Sequence, residues 1–498
     1  MSGNFFNDLH QVFVDNASRP CFIFSRGGGW TFEELETRIT QIAGVLLRAG
    51  VKPGNRVVAQ VPKSAEAVAL YLATLRVGGV YVPLNTAYTA SEVQYFLDDA
   101  TPALFVYDPA NPPDVDVGGT HTLDAEGEGS LINAMAHTEP FTGLIKRARD
   151  DVAAILYTSG TTGRSKGAML THENLRSNAI ALGRCWGWQD RDVLLHALPI
   201  FHVHGLFIAL HCALLAGTTT VFCAKFDIEE LLMWLPRSTV LMGVPTYYTR
   251  LLERSEFGAE HCKGIRVFIS GSAPLTTQTF EAFEARTGHK ILERYGMSET
   301  IINTSNPLDG ERVAGTVGHP LPGVEVRIAI DDGNAVADGE TGMIEVRGPN
   351  VFSGYWQMPD KTAAEIRPDG WFITGDLGTR DASGRVTIVG RAKDLIISGG
   401  YNVYPKEVEQ ALDALPGVRE SAVFGVPHAD FGEAVVAAIV PEGAPLQHAD
   451  VDSQLADVLA RFKQPKRLVH LDELPRNTMG KVQKTVLRAD HAGLFGDA

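Results

Sequence analysis

Short apolar runs alternate with amphipathic segments along most of this chain, and that rhythm constrains the fold more than any other feature. "WTFEELETRITQIAGVLLRAG" opens on Thr31-x-x-Glu34, a capping box, and closes at Gly50. "NRVVAQVP" then reads as a buried strand, "SAEAVALYLATLRVGG" as a helix ending in glycines and "VYVPLN" as a strand. "SEVQYFLDDA" is a further helix before the strand "ALFVYD". Strand and helix in this alternation predict a doubly wound α/β sheet. The pattern weakens over 116–150, where loops and short elements are expected. It resumes with "AAILYTSG" and continues through "VLLHALP", "TTVFCAKF", "STVLMGVP" and "IRVFISGS".

From about 310 to 390 the character changes. "VEVRIAI", "GMIEVRG" and "GRVTIVGR" are short strands between Gly, Asp and Pro turns, which predicts a small β-rich subdomain. In the last hundred residues, "YPKEVEQALDAL" carries Val408, Leu412 and Leu415 on one helical face, and "ESAVFGVP" and "EAVVAAIVP" read as strands. A charged cluster at Arg391-Ala392-Lys393-Asp394 marks a boundary. The expected architecture is therefore an α/β N-terminal domain over 1–393, with doubly wound lobes and the β-rich subdomain, and a small α+β domain over 394–498. A length of 498 residues suits this, at roughly 100–200 residues per unit.

Charge limits the partners. Lys and Arg number 44 against 59 Asp and Glu, a formal balance of −15. That argues against nucleic acid and anionic membranes, which both need a basic face, while allowing a local basic pocket. Five scattered cysteines, Cys21, Cys185, Cys212, Cys223 and Cys262, form no Cys-x-x-Cys pair. They fit reduced thiols in a cytoplasmic protein rather than disulfides or a zinc site. The N-terminus has no signal pattern. The longest apolar stretch, about 205–217, is too short to span a bilayer and reads as a buried helix.

The stretch "YTSGTTGRSKG" at 157–167 concentrates chemistry. Its glycines let backbone N–H groups turn toward an anion, its hydroxyls add donors, and Arg164 and Lys166 add positive charge. A phosphate loop after a strand has these properties. It is not the Gly-x-x-x-x-Gly-Lys-Ser/Thr type, because Ser165 precedes Lys166 and Gly167 follows it.

This loop resembles that of the adenylate-forming enzymes, the acyl-CoA synthetases and their relatives. "ERYGMSET" at 293–300, "GWFITGDLG" at 370–378, "GRAKDLIISGGYNVYPKEVE" at 390–409 and "PRNTMGK" at 475–481 also resemble family motifs, in the family's order. The resemblance implies two half-reactions. A carboxylate attacks the α-phosphate of ATP and expels pyrophosphate; a thiol then attacks the acyl-adenylate and releases AMP. It also implies ATP, Mg²⁺ and coenzyme A as ligands.

By the same resemblance, Thr158, Ser159, Gly160, Thr161, Thr162, Gly163 and Lys166 would hold the β- and γ-phosphates, and Glu299 would hold Mg²⁺. Ser298, where the family usually has threonine, keeps a hydroxyl for the α-phosphate. Tyr295 and the backbone of Gly271, Ser272 and Ala273 would flank adenine, beside Arg294 and Gly296, and Asp376 and Arg391 would contact the ribose. Lys481 would approach the reacting carboxylate and α-phosphate oxygens, with a compact ammonium suited to bridging two oxygens. Asp394 resembles the hinge of a small domain that swings between two poses. The swing would bring Gly399 and Gly400 beside the pantetheine arm. "PRNTMGK" also resembles sites acylated in relatives, so a lysine acyltransferase acting on Lys481 is an expected partner.

The segments between motifs, "HALPIFHVHGLF", "MGVPTYYTR" and "ERYGMSETIINTSNP", resemble those of malonyl-CoA synthetases within the family. A dicarboxylic acid has a second charge to bury, and a guanidinium is its best partner. Arg250 and Arg294 stand at positions resembling the malonate-binding arginines. His202, Val203 and Ile302 border the expected acyl space; Ile301-Ile302 and Val203 stand where several malonate enzymes resemble one another in carrying other residues, which predicts an altered tolerance for a 2-methyl group and acceptance of methylmalonate. No third ligand near His202 and His204 suggests a metal, and a carboxylate ionised at pH 7 needs no base; His202 would instead shape the acyl passage. The alternatives are a short-chain monocarboxylate–CoA ligase, a stand-alone adenylation enzyme loading a carrier protein, and a non-catalytic nucleotide-binding relative.

Overall fold

The computed structural model describes residues 3–113, 119–158, 165–428, 430–456, 458–477 and 479–495. Its N-terminal part holds two large sheets. The six-stranded one runs Thr120–Thr122, Leu104–Tyr107, Arg56–Gln60, Val80–Pro83, Val152–Thr158, Lys166–Thr171. All neighbours are parallel except the last pair, a hairpin whose connection is the glycine-rich loop. The nine-stranded one has a parallel centre ordered Leu292–Tyr295, Val267–Ser270, Val240–Gly243, Val193–His196, Thr219–Phe222, Pro20–Phe24. Their near-continuous apolar character follows from burial on both faces.

Local chemistry sets the helices. Phe32–Arg48 begins on the expected box: Glu34 N–H donates to Thr31 Oγ1 at 3.1 Å and Thr31 N–H donates to the Glu34 carboxylate at 2.7 Å. Gly50 follows at φ +85°, in the left-handed region. The helices Ala65–Arg76 and Ala90–Ala100 and the short elements Thr120–Thr122 and Ser130–Met135 fall where the pattern places them. The apolar stretch at 205–217 differs in detail. It is a π-helix, His204–Leu210, which is buried, running into an α-helix, His211–Ala216, buried through Leu214. Gly205 packs so tightly on the Pro199 carbonyl that a Cβ would lie 2.1 Å from its oxygen. The close packing accompanies an irregular first turn, a feature frequent at functional sites.

Strands Glu325–Ala329, Gly342–Arg347, Phe372–Arg380 and Val386–Arg391 form the antiparallel β-rich sheet. Beyond the turn Ala392–Asp394, a last sheet pairs Val418–His428 with Gly432–Pro441, both longer than the sequence pattern marks. Helix Pro405–Asp413 packs on it through Val408 and Leu412. Apolar clusters around Val423 and Phe424 are separate from the main core, with one crossing among the described residues: Met479, two residues before Lys481, is buried in the main core. Among the described residues no helix is long and apolar enough to cross a membrane.

Candidate active site

Parallel strands aim their carboxyl ends at one crevice, where α/β sheets bind ligands. Here those ends deliver His196, the turn after Ser270, and Tyr295. Gly271 and Ser272 leave strand Val267–Ser270 through a tight turn in which Ser272 adopts φ +73°. The Arg294 guanidinium lies against this turn, since a Cβ on Gly271 would fall 2.3 Å from Arg294 Cζ. A side chain at position 271 would displace the guanidinium from this seat.

Arg294 is the electrostatic anomaly of the crevice. It is 4% exposed, and its Nε and Nη2 atoms meet no hydrogen-bond partner among the described residues. Burial lowers its pKa to about 10. Glu293 is its sequence neighbour, but successive strand residues face opposite sides. The Glu293 carboxylate instead accepts from the Leu275 N–H at 3.0 Å. A buried guanidinium with idle donors is a socket for an anion.

Tyr295 is buried and donates its hydroxyl to Asp376 Oδ2 at 2.6 Å, while Arg391 Nε lies 2.8 Å from Asp376 Oδ1. Asp376 and Arg391 meet because they are cross-strand partners in the β-rich sheet. Gly296 passes beneath the following turn so closely that a Cβ would lie 1.8 Å from the Ile301 carbonyl oxygen. Ile301 sits at φ +57°, strained for a β-branched residue. Asn350 holds that turn by donating to the carbonyls of Thr300 (2.7 Å) and Ile302 (3.1 Å), and Asn178 donates to Ile302 at 2.8 Å. Ile302 is fully buried, and Ser298 is half-buried on the same turn.

Glu299 is buried, and desolvation raises its pKa. Thr158 Oγ1 stands 3.5 Å from its Oε1 and Tyr355 Oη 3.2 Å, but that phenol sits closer to Glu365, at 2.6 Å. One phenolic proton serves two carboxylates, and a buried carboxylate in this place suits a hard cation. Lys166 is buried and pairs with Glu365 at 3.1 Å, its ammonium 4.5 Å from the Tyr355 ring. Tyr355, Glu365, Asn350 and Asn178 carry no motif signal that the sequence reading used. Ser159, Gly160, Thr161, Thr162, Gly163 and Arg164 lie outside the described residues.

Lys481 reaches this crevice from the C-terminal part. Gly480 adopts φ +73°, and a Cβ there would lie 3.1 Å from Thr246 Oγ1 on helix Pro245–Leu252. The Lys481 side chain meets water but is walled by protein. Desolvation, with Arg391 next in weight, lowers its pKa to about 8 against the opposing pull of Asp376. His202 is lowered to about 4 by burial, then by Arg294 and Lys481. Its Nδ1 accepts from the His204 N–H at 3.2 Å, and His204 Nδ1 lies 3.2 Å from Ser272 Oγ. Val203 beside them is buried.

Arg250 is exposed, one helical turn after Thr246 on the face that Gly480 meets, with its guanidinium 5.4 Å from the Phe226 ring. Asp394 pairs with Arg488 at 3.1 Å. Gly399 (φ +59°) and Gly400 (φ +82°) form an exposed two-residue hairpin turn between Ser398 and Tyr401, whose left-handed angles favour glycine.

Residues 10–356 match the family model of the AMP-binding enzyme, and residues 407–481 match that of the AMP-binding enzyme C-terminal domain. The chain belongs to the AMP-binding enzyme family. It is 36% identical over 519 residues to the malonate–CoA ligase ACSF3, mitochondrial, of Mus musculus, covering 93% of this chain and 87% of that protein. It is 35% identical over 482 residues to a malonate–CoA ligase of Arabidopsis thaliana, covering 88% and 78%. Among solved structures it is similar to ATP-bound MatB from Rhodopseudomonas palustris, at 51% identity and TM-score 0.95 over 99% of this chain and all of that one. The apo form of the same protein matches at TM-score 0.86, with the same identity and coverage.

Proposed function

We propose that this chain ligates malonate to coenzyme A using ATP, through an acyl-adenylate, giving malonyl-CoA, AMP and pyrophosphate. The observation that carries this reading is the buried Arg294 guanidinium with idle donors. A monocarboxylate would leave that charge unpaired, whereas the second carboxylate of malonate matches it. Arg250, on the face of its helix that meets the Lys481 loop, would complete the recognition. The family's name and the named activities of the malonate–CoA ligases support the same conclusion.

Within this reading Asp376 and Arg391 receive the ribose hydroxyls, and Tyr295 lines the adenine space with Gly271, Ser272 and Ala273. Glu299 would hold Mg²⁺, which when bound neutralises phosphate charge. Thr158, Lys166 and Ser298 would contact the phosphates. Lys481 places its ammonium between the acid's reacting carboxylate and the α-phosphate, and no general base is required. His202, Val203 and Ile302 would form the wall around the substrate's α-carbon.

We divide the chain at 393/394, with Asp394 as hinge. The placement of Lys481 in the crevice corresponds to an adenylating pose, and the stronger likeness to ATP-bound than to apo MatB supports that assignment. A swing about Asp394 would then bring the Gly399–Gly400 turn to the pantetheine arm. A lysine acyltransferase acting on Lys481 would remove the charge this pose supplies. Five free thiols support a cytoplasmic setting.

The test is CoA-dependent AMP release with malonate, methylmalonate, acetate and butyrate. Malonate is expected to lead, methylmalonate to be accepted, and both monocarboxylates to be poor substrates. Equal or better turnover of butyrate would remove the dicarboxylate reading and leave the monocarboxylate ligase. AMP release that needs a carrier protein instead of coenzyme A would favour the carrier-loading alternative.

A further inference from the structure

Lys63 belongs to none of the motifs above, yet it bonds to the strand end that leads into the segment bearing His202. It follows strand Arg56–Gln60 of the six-stranded sheet and crosses to the end of strand Val193–His196 in the nine-stranded one. Its Nζ lies 2.7 Å from His196 Nδ1, 2.9 Å from the His196 carbonyl oxygen and 4.5 Å from the Phe222 ring centre. His196 is buried and stacks on the same ring at 5.7 Å, with 4° between planes. Among the described residues no carboxylate forms an ion pair with Lys63; Glu230, the acidic neighbour, is engaged by Arg26 at 2.8 Å and Ser25 at 3.1 Å.

The other ring nitrogen fixes the direction of the chain. His196 Nε2 stands 3.0 Å from the Gly205 carbonyl oxygen, which only accepts. Nε2 therefore carries the proton, Nδ1 carries the lone pair, and Lys63 is the donor. Either protonation state of Lys63 keeps the two N–H bonds this requires. Gly205 in turn closes the segment 199–205 by packing on the Pro199 carbonyl. That segment bears His202, Val203 and His204, the wall that faces Arg294.

We propose that Lys63 is a positioning residue for the acid site: through His196 it holds the segment 199–205, and so sets how His202 and Val203 meet the acyl group. This rests on the acid-pocket reading given above. Lys63 touches no reacting atom, so its loss changes acid recognition rather than nucleotide binding. Desolvation, which lowers its pKa to about 7, is in keeping with a lysine kept for its hydrogen bonds.

The experiment is a double-mutant cycle on the full-length enzyme with Lys63→Met, which keeps an apolar stem over Phe222, and His196→Phe, which keeps the stack and the backbone carbonyl but neither hydrogen bond of the ring. The expected result for each single variant is an acid KM raised about tenfold, the effect of losing roughly one charge-assisted hydrogen bond. The KM for ATP should stay within about twofold of wild type, and the malonate-to-methylmalonate ratio should shift. The double variant is expected to be no worse than either single one, because both break the same chain. Lys63→Arg, which keeps the donors, should restore most of the acid KM. Lower thermal stability with unchanged acid KM and unchanged acid ratio would overturn the proposal, as would independent, additive effects of the two substitutions. Lys63→Gln carries the same comparison if Lys63→Met does not fold. The acid panel on the wild type comes first. If a monocarboxylate is preferred, the dicarboxylate reading fails, and the cycle is run with that acid to judge Lys63 separately.

Discussion

Single residues carry the specificity argument, and Arg294 carries most of it. A buried guanidinium with two nitrogens unbonded among the described residues weighs on the ligand-free protein, and removing one partner of a buried pair typically costs about 3–5 kcal/mol. Arg294→Met is therefore expected to raise the melting temperature of the ligand-free protein while lowering kcat/KM for malonate by at least about a hundredfold; calorimetry and steady-state kinetics read the two effects. A fall in both would make Arg294 an ordinary structural cation. Lys481 yields a pH prediction. Its pKa is lowered from the usual lysine value to about 8, so its charge is complete below that pH and is lost as pH rises through it. In the proposed role, kcat/KM for the adenylation half-reaction should decline above about pH 8, because that ratio reports groups of the free enzyme. Lys481→Arg, whatever activity it retains, should lack this alkaline limb. A wild-type profile flat to pH 10 would contradict the assignment.

At the scale of elements, side chains set by local rules are held by a few buried networks. Glu345 on strand Gly342–Arg347 is fully buried between Arg327, at 2.7 Å, and Arg367, at 2.6 Å. Glu345→Ala leaves two cations facing each other and should destabilise by about 3–5 kcal/mol. A denaturant titration checks this, and because Asp376 shares the sheet, nucleotide binding should weaken with it. Much of the element order was legible in the sequence. The Thr31 box, the glycine stops and the apolar runs are decided by neighbours along the chain, and the structure follows them. The π-turn at His204 was not legible, because its irregular hydrogen bonding accompanies the contact between Gly205 and Pro199, which hydrophobic spacing does not encode. Glu365, Asn350 and Asn178 escaped for a related reason: they act on segments far away in sequence. Motif resemblance pointed to Asp376 and Arg391, but only the pairing of their strands reveals that they touch. It pointed to Lys166 as well, and did not anticipate Glu365 as its ion-pair partner.

Across the whole molecule, the small C-terminal part presents Lys481 to a crevice built by the large one, with Met479 seated in the main core and Gly480 against Thr246. If Asp394 is the hinge, chemistry at the two poses should separate. Gly400→Val, at a turn that requires φ +82°, should leave malonate-dependent ATP–pyrophosphate exchange near wild type while slowing CoA-dependent AMP release by about tenfold or more. Equal loss of both would place the turn in folding rather than in thioester formation. The central claim remains the pairing of the acid's far carboxylate with a buried guanidinium. The most direct measurement is a crystal structure with a stable malonyl-adenylate analogue bound. The account predicts the distal carboxylate within hydrogen-bond distance of Arg294, with its idle nitrogens occupied and Arg250 turned to the same group. A distal carboxylate left in solvent, with Arg294 still unpaired against Gly271, would contradict it.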